Sequence, residues 1–173
     1  MDESLAVKLE HIFDVRVDFG HDRTMWDIPG GWKQGYTPAI GGTISGPRLK
    51  GKVVPHSGAD YALIRADGVI ELNAHYLLQA DDGALIYINN RGYLVPATFG
   101  SAAAKKAPAK KASAKTAKSA STGQPAQPRY FRFTPTFRAP AGKHDWLGRT
   151  VIVGAGERRS NPDHSLFRYY AVG

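Results

Sequence analysis

Glycine-centred turns recur at short intervals along the first half of this chain. Asp-Gly between alternating apolar residues is a strong hairpin signal. No segment shows a sustained 3.6-residue apolar period with capping residues. We therefore predict an all-β antiparallel sandwich or closed barrel, and we favour the barrel because closure removes exposed strand edges. The turn signals are Gly30-Gly31, Gly41-Gly42, Gly46-Pro47, Gly51, Gly58, Asp67-Gly68, Asp82-Gly83 and Asn90-Arg91-Gly92.

Most of the strands predicted between these turns are short. The longest is Leu5–Phe19, where alternate residues are apolar and are predicted to share one buried face. His11 falls within this apolar row, where a histidine is usually a core residue with satisfied hydrogen bonds. The other predicted strands cover residues 52–55, 61–65, 69–78, 84–89, 130–133, 150–154 and 166–172.

A tract rich in lysine, alanine and proline interrupts these strands near the middle of the chain. Residues 101–128 contain six lysines and no acidic residue, aromatic residue, leucine, isoleucine or valine. Such a segment cannot bury enough apolar surface to offset its chain entropy, so we predict a disordered insertion. Residues 1–100 and 129–173 are then the two parts of one barrel domain. The tract is either an inert surface insertion or a contact for nucleic acid or another polyanion.

The positive charge of the chain is concentrated in that tract. The chain has 23 lysines and arginines against 15 acidic residues, for a net charge of +8. Without the six lysines of the tract, 17 basic residues face the same 15 acidic ones. The remainder is nearly balanced and offers no obvious second basic surface for nucleic acid.

Several classes of site lack sequence support. The chain has no cysteine, which removes disulfides, thiolate metal sites and cysteine nucleophiles. The six histidines show no recognisable metal-ligand spacing, and no glycine-rich phosphate loop opens a helix. We therefore expect neither a metal nor a cofactor. The sequence begins with acidic residues and has no apolar run of about 18 residues, so we expect no membrane partner and a cytoplasmic location.

Six pieces of sequence occur here in an order and spacing that resemble one bacterial and fungal family. They are Gly41–Gly51 (GGTISGPRLKG), Gly58–Tyr61 (GADY), Asp67–Tyr76 (DGVIELNAHY), Asp82–Tyr87 (DGALIY), Tyr130–Pro135 (YFRFTP) and Trp146-Leu147. On these pieces the chain resembles domain-of-unknown-function family 3237, also called uncharacterised protein family 0311. The resemblance covers nearly the whole chain except the lysine-rich tract. It implies a small antiparallel β-barrel, allene-oxide-cyclase-like or lipocalin-like, and it supplies no reaction.

One face of the predicted strand 69–78 carries the polar residues Glu71, Asn73 and His75. The opposite face is apolar, so the simplest interpretation makes the apolar row core and the polar row solvent-exposed. In the alternative, the polar row lines the mouth of a ligand cavity. His75 and Glu71 would then act as general acid or base, and Asn73 would contact the ligand.

Four further residues are candidates for the same site. Asp60 opens a strand; it either caps a turn or takes part in catalysis by orienting a histidine or anchoring a ligand hydroxyl. Arg132 either holds a ligand carboxylate in a bidentate pair or solvates the barrel exterior. Tyr76 is a candidate ligand contact beside His75. Trp146 either rims an apolar pocket or plugs a barrel end.

These residues support two hypotheses of different classes. In the first, the barrel binds a small, partly apolar organic molecule, with or without cofactor-free acid/base catalysis of an isomerase, cyclase, lyase or hydrolase type. In the second, the protein is a non-enzymatic binding or scaffold protein whose residues 101–128 contact nucleic acid or another polyanion. A homo-oligomer in which the aromatic residues serve the interface is a third alternative.

Overall fold

The computed structural model describes residues 5–99 and 126–173. This part of the chain contains eleven β-strands and a 3-10 helical turn, Asp145–Arg149. The strands are β1 (Leu9–Phe19), β2 (Thr24–Ile28), β3 (Trp32–Ser45), β4 (Gly51–Val53), β5 (Gly58–Asp60), β6 (Leu63–Ile64), β7 (Ile70–Ala80), β8 (Leu85–Val95), β9 (Tyr130–Arg138), β10 (Ile152–Arg159) and β11 (His164–Val172).

The strands form one antiparallel sheet that closes on itself. The order around the ring is β1, β11, β10, β9, β8, β7 and then β3, which returns to pair with β1. The short strands β4, β5 and β6 follow one another between β7 and β3 and together fill an eighth position. β2 lies outside the ring and pairs with the first part of β3. The predicted all-β antiparallel barrel is confirmed.

The predicted single buried face of the first strand is wrong for the start of that strand. The register of β1 with β11 shifts between His11 and Phe13, and Ile12 and Phe13 are both fully buried. This β-bulge reverses the faces of the residues before it. Leu9 is therefore exposed. His11 is not a core residue, because it lies half-exposed with its Nε2 3.1 Å from Asp14 Oδ1.

Two of the predicted turns lie inside long strands instead. Gly41-Gly42 belongs to β3 and Asn90-Arg91-Gly92 belongs to β8. A Cβ atom at Gly92 would lie 2.1 Å from the carbonyl oxygen of Arg132 on β9. Glycine is required there because the two backbones approach too closely for a side chain. The same residue type that predicts a turn thus marks a close contact between strands.

Side chains fill one half of the barrel interior. Tyr169 is fully buried in this half, and its ring centroid lies 4.9 Å from Phe13, 5.2 Å from Phe133 and 6.2 Å from Phe137. Contacts between tilted or edge-on rings are favourable beyond the area they bury. Leu147 of the 3-10 turn is also buried and joins this core beside β9.

Asp82, in the turn between β7 and β8, fastens the segment that carries the 3-10 turn. Its Oδ2 accepts a hydrogen bond from Lys143 Nζ at 3.0 Å and lies 2.8 Å from Nε2 of the buried His144. These contacts, with a hydrogen bond from the Ala84 amide, hold the pKa of the Asp82 carboxyl well below its usual range. The filled half is thus held by charge as well as by packing.

Two glycines on β10 shape the interior beside β9. Phe131 and Phe133 of β9 point inward, and the facing positions of β10 are Gly154 and Gly156. A Cβ atom would lie 2.0 Å from the Phe133 ring at Gly154 and 2.7 Å from the Phe131 ring at Gly156. The glycines therefore leave the space that the two rings occupy. The next inward position of β10 is Arg158, which reaches the open half of the barrel.

The lysine-rich tract lies between β8 and β9, which are neighbours in the barrel. β8 and β9 pair as a hairpin whose last pair is Val95 with Tyr130. Beyond that pair, Nη1 of Arg129 donates to the carbonyl oxygen of Phe99 at 3.0 Å. The predicted disordered insertion, residues 101–128, lies outside the described residues except for its last three positions.

Deleting residues 100–125 is expected to leave the barrel folded. Joining Phe99 to Ala126 shortens the β8–β9 connection about fourfold, which lowers the loop-closure entropy and stabilises the fold by about 1 kcal/mol. We expect a melting temperature equal to or about 3 °C above that of the full chain, measured by circular dichroism. A drop of about 10 °C or more would show that the tract contributes to the fold.

Candidate functional site

The half of the barrel that the aromatic core leaves open contains a cavity of about 400 Å³. Its volume lies in the range that suits small organic ligands, and its wall is mostly apolar. The cavity reaches the barrel end where β1 leads into β2 and β10 leads into β11. The apolar wall includes Val17, Ile64, Ile70, Leu72, Phe131 and Phe167.

The short strand β5 brings Asp60 into the cavity wall. Two residues earlier, a Cβ atom at Gly58 would lie only 1.7 Å from the carbonyl oxygen of His75 on β7. Only glycine allows β5 to lie this close to β7. At the end of β5, Asp60 Oδ1 accepts a hydrogen bond from the Asn73 amide at 3.0 Å, which fixes the carboxyl in the wall of the cavity.

The environment of Asp60 favours its protonated form. Burial raises the pKa of Asp60 to about 6, against the opposing effects of the hydrogen bond from Asn73 and the positive charge of Arg158. A carboxyl group with this pKa exchanges its proton close to neutral pH. Asp60 can therefore donate or accept a proton at a ligand in the cavity.

The side chains of Tyr76 and Asn90 form part of the cavity wall, and both are buried. The Tyr76 hydroxyl interacts with the Tyr169 hydroxyl, whereas Asn90 Oδ1 has no hydrogen-bond partner among the described residues. Asn90 Nδ2 donates weakly to the Tyr169 hydroxyl at 3.4 Å. Burial raises the pKa of the Tyr76 phenol, so this hydroxyl stays neutral at physiological pH. Neither the Tyr76 hydroxyl nor Asn90 Oδ1 has surface that a water-sized molecule in the cavity could reach.

Two arginines stand at the open end of the cavity. Arg158 on β10 donates to Asp163 Oδ1 at 2.7 Å and to Ser165 Oγ at 3.0 Å. Arg23, which also lines the cavity, forms an ion pair with the other oxygen of Asp163. Both guanidinium groups lie over the Phe19 ring, 5.0 Å from its centroid for Arg158 and 5.2 Å for Arg23. We call these two arginines the mouth arginines.

The polar groups of the cavity offer hydrogen bonding, charge pairing and proton transfer. Within residues 5–99 and 126–173, no three His, Asp or Glu side chains come together as a group that could hold a metal ion. The same two ranges hold no helix with the length and apolarity needed to cross a membrane.

Comparison with known sequences identifies the family. The family model described as a protein of unknown function (DUF3237) matches residues 7–172. The chain belongs to the DUF3237 family. A UPF0311 protein of Clostridium acetobutylicum is 32% identical over 138 residues, which cover 78% of this chain and 75% of the relative. The resemblance on the six sequence pieces is therefore confirmed.

Solved structures share the architecture of this DUF3237 chain. A β-barrel-like protein from Acinetobacter baumannii superposes with a TM-score of 0.78 at 26% identity, and the alignment covers 100% of both chains. An enzyme from Penicillium herquei aligns with a TM-score of 0.64 at 20% identity, covering 96% of this chain and 95% of the enzyme. The second likeness extends to the fold alone.

The structure brings two of the predicted site residues to the cavity, Asp60 and Tyr76. Glu71, Asn73 and His75 do not line the cavity, because the alternate, apolar residues of β7 face the interior. On the outer face, His75 Nδ1 lies 2.7 Å from the Tyr87 hydroxyl. Glu71 Oε1 lies 3.6 Å from Arg65 Nη1. Asn73 reaches the site only through its backbone amide, which binds Asp60.

The other two predicted ligand contacts also lie away from the cavity. Arg132 is exposed on the outer face of β9, where Nη1 donates to the carbonyl oxygen of Phe131 at 2.9 Å. Trp146 belongs to the 3-10 turn, and its ring lies 3.8 Å from the guanidinium carbon of Arg48. Trp146 is partly buried against the hydrophobic core and does not line the cavity.

Among the polar residues of the cavity wall, Arg158, Arg23 and Asn90 were not predicted from the sequence. The sequence does contain a signal for Arg158, because it follows Gly154 and Gly156 at every second position on one face of β10. The sequence predicts that Asn90 lies in a turn because Gly92 follows it. In the structure Asn90 lies instead on β8, with its side chain buried. Arg23 precedes β2, a strand that was not predicted, and it carries no local pattern.

Replacing Asp60 with asparagine is expected to stabilise the protein above pH 6. Because the folded state raises the pKa of Asp60 from about 4 to about 6, stability falls as pH rises through that window and stays lower above it. The asparagine side chain of this variant keeps an acceptor for the Asn73 amide and carries no buried charge. At pH 8 we expect Asp60→Asn to gain about 2 to 3 kcal/mol in free energy of unfolding, and at pH 4 almost nothing.

Asp82→Asn is the matched control, with the opposite sign. Contacts with Lys143 and His144 lower the pKa of Asp82, so its contribution to stability is present at neutral pH and is lost as the solution becomes more acidic than the ordinary carboxyl pKa. Denaturant titrations of both variants at pH 4 and pH 8 give the comparison. A destabilised Asp60→Asn at pH 8 would contradict the burial of a costly charge at Asp60.

Proposed function

We propose that the barrel binds a small, partly apolar organic molecule in its cavity. The observation that carries this proposal is the cavity of about 400 Å³ inside the barrel, whose mostly apolar wall contains the Asp60 carboxyl. A concave, mostly apolar site with a few placed polar groups is typical of small-molecule binding.

The distribution of polar and apolar surface in the cavity supports an organic occupant. Apolar side chains from β1, β6, β7, β9 and β11 surround the few polar groups. Ligand sites typically combine an apolar wall with a small number of placed hydrogen-bonding groups. The apolar wall provides the affinity by excluding water, while Asp60 fixes the orientation of the molecule.

We further propose that Asp60 transfers a proton to or from this molecule without a cofactor. Its pKa of about 6 matches the working range of a general acid or base. Isomerisation, cyclisation, elimination and hydrolysis each include such a proton transfer. A binding protein without catalysis would use the same groups for recognition alone.

Ligand screening by thermal shift is the test of cavity binding. A ligand at about 100 times its Kd adds about 2.7 kcal/mol to stability, which corresponds to a shift of about 5–10 °C for a chain of this size. We expect hits from a library of small organic molecules with apolar bodies. Ala74→Phe and Leu72→Phe, which fill the cavity from β7, are expected to remove the shift.

Glu71→Gln is the control for those two variants. It changes the outer face of the same strand and is expected to keep the full shift. The proposal is contradicted if no library member stabilises the wild type, or if both cavity-filling variants fold and keep the shift. Once a turned-over hit is known, Asp60→Asn separates recognition from catalysis, because it is expected to keep binding and to lose turnover by about 100-fold or more.

Contact with nucleic acid through the lysine-rich tract is a second proposal. It rests on the six lysines without an acid in residues 101–128. It predicts binding of DNA or RNA that is independent of sequence, weakens steeply with salt and disappears when residues 100–125 are deleted. Filter binding at about 50 mM and about 200 mM salt measures this, and equal binding by the deleted form would contradict it.

A further inference from the structure

The mouth of the cavity has more positive than negative charge among the residues that the structure describes. Arg158 and Arg23 both line the cavity, and both pair with a single carboxylate, that of Asp163. Arg158 faces Asp60 closely enough for each charge to alter the pKa of the other, yet Arg158 pairs with Asp163. One positive charge at the mouth is therefore left without a matching acid whenever Asp60 is protonated.

We propose that the cavity binds an apolar molecule carrying one anionic group, and that Arg158 and Arg23 receive this group at the mouth. This inference rests on the proposed binding function and names the class of ligand. A carboxylate or phenolate is the chemistry that a guanidinium group recognises, since its planar donors match two oxygen lone pairs.

The mouth arginines are held in place before any ligand arrives. Arg158 is fixed by Asp163 and Ser165, and the Phe19 ring lies beneath both guanidinium groups. Side chains that are already ordered lose little freedom when they bind a ligand. The geometry therefore favours an anion at this end, while the apolar body extends inward toward Tyr76.

The volume of the cavity limits the size of this molecule. About 400 Å³ corresponds to roughly a dozen water-sized groups. A fused two-ring aromatic acid or an eight-carbon fatty acid has this size. The apolar wall does not distinguish the two, so the experiment includes one of each.

Asp60 couples the binding of an anion to pH. The titratable and charged side chains that line the cavity are Asp60, Tyr76, Arg23 and Arg158, with Asp163 behind the arginines. Of these, Asp60 changes charge near neutral pH, because its pKa lies at about 6. When Asp60 ionises it repels an anionic ligand and offsets the charge of Arg158. Affinity for the anion is therefore expected to fall as pH rises through 6.

The test compares acids with their uncharged amides by isothermal titration calorimetry. 2-Naphthoate is paired with 2-naphthamide, and octanoate with octanamide, at pH 5.5 and at pH 8. At pH 5.5 at least one acid is expected to bind tenfold or more tightly than its amide. Between pH 5.5 and pH 8 its affinity is expected to fall about tenfold, while the affinity of the amide changes less than threefold. Asp60→Asn is expected to abolish this pH dependence.

Single substitutions of the mouth arginines locate the anion. Arg158→Gln and Arg23→Gln are each expected to reduce binding of the acid tenfold or more and to leave the amide within threefold. Arg23 is the exposed partner, so its variant serves if Arg158→Gln fails to fold. Arg132→Gln, which removes an arginine from the outer face of β9, is the matched control and is expected to change neither affinity.

The outcomes separate this inference from the proposed function. If the amides bind as tightly as the acids, the anionic class is overturned and binding in the cavity stands. If an acid binds tightly but neither mouth variant weakens it, the assignment to Arg158 and Arg23 is overturned. If neither acid nor amide binds and the broader library also gives no hit, both proposals fall together.

Discussion

The hydrogen bonds between β1 and β3 close the sheet, and the interior of the molecule depends on that closure. β3 extends from Trp32 to Ser45, and its length allows it to pair with β2, β4, β5, β6 and β1 in turn. Because the ring is closed, every inward side chain faces another across a narrow interior. Asp60 on β5 and Arg158 on β10 come from opposite parts of the chain and meet only inside such a ring.

The interior is divided between a half that is packed with side chains and a half that contains the cavity. In one half, aromatic rings pack around Tyr169, and Asp82 contacts His144 in the segment before the 3-10 turn. In the other half the inward side chains leave a space between them, and this space is the cavity. Because Gly154 and Gly156 have no side chains, the Phe131 and Phe133 rings of β9 pack directly against the backbone of β10. The filled half supplies stability that allows the open half to hold a costly buried carboxyl.

Turn signals and the absence of a helical period were enough to predict the fold class. Alternation predicted most of β7 but only residues 130–133 of the nine-residue β9. Glycine misled the prediction at Gly92, since a close approach of strands and a turn demand the same residue. Asp60 was found through its place after Gly58. The sequence did not predict the mouth arginines as site residues, because their position at the cavity depends on which distant strands become neighbours in the ring. Local sequence patterns carry no such information.

The tip of the β8–β9 hairpin opens at the same end of the barrel as the mouth arginines. Gln127, just before β9, contacts both the amide and the carbonyl group of Arg158. The last pair of the β8–β9 ladder is Val95 with Tyr130, so a change in the length of the connection between them leaves that ladder intact. A tag inserted there would be tethered, through Gln127, directly beside the backbone of Arg158.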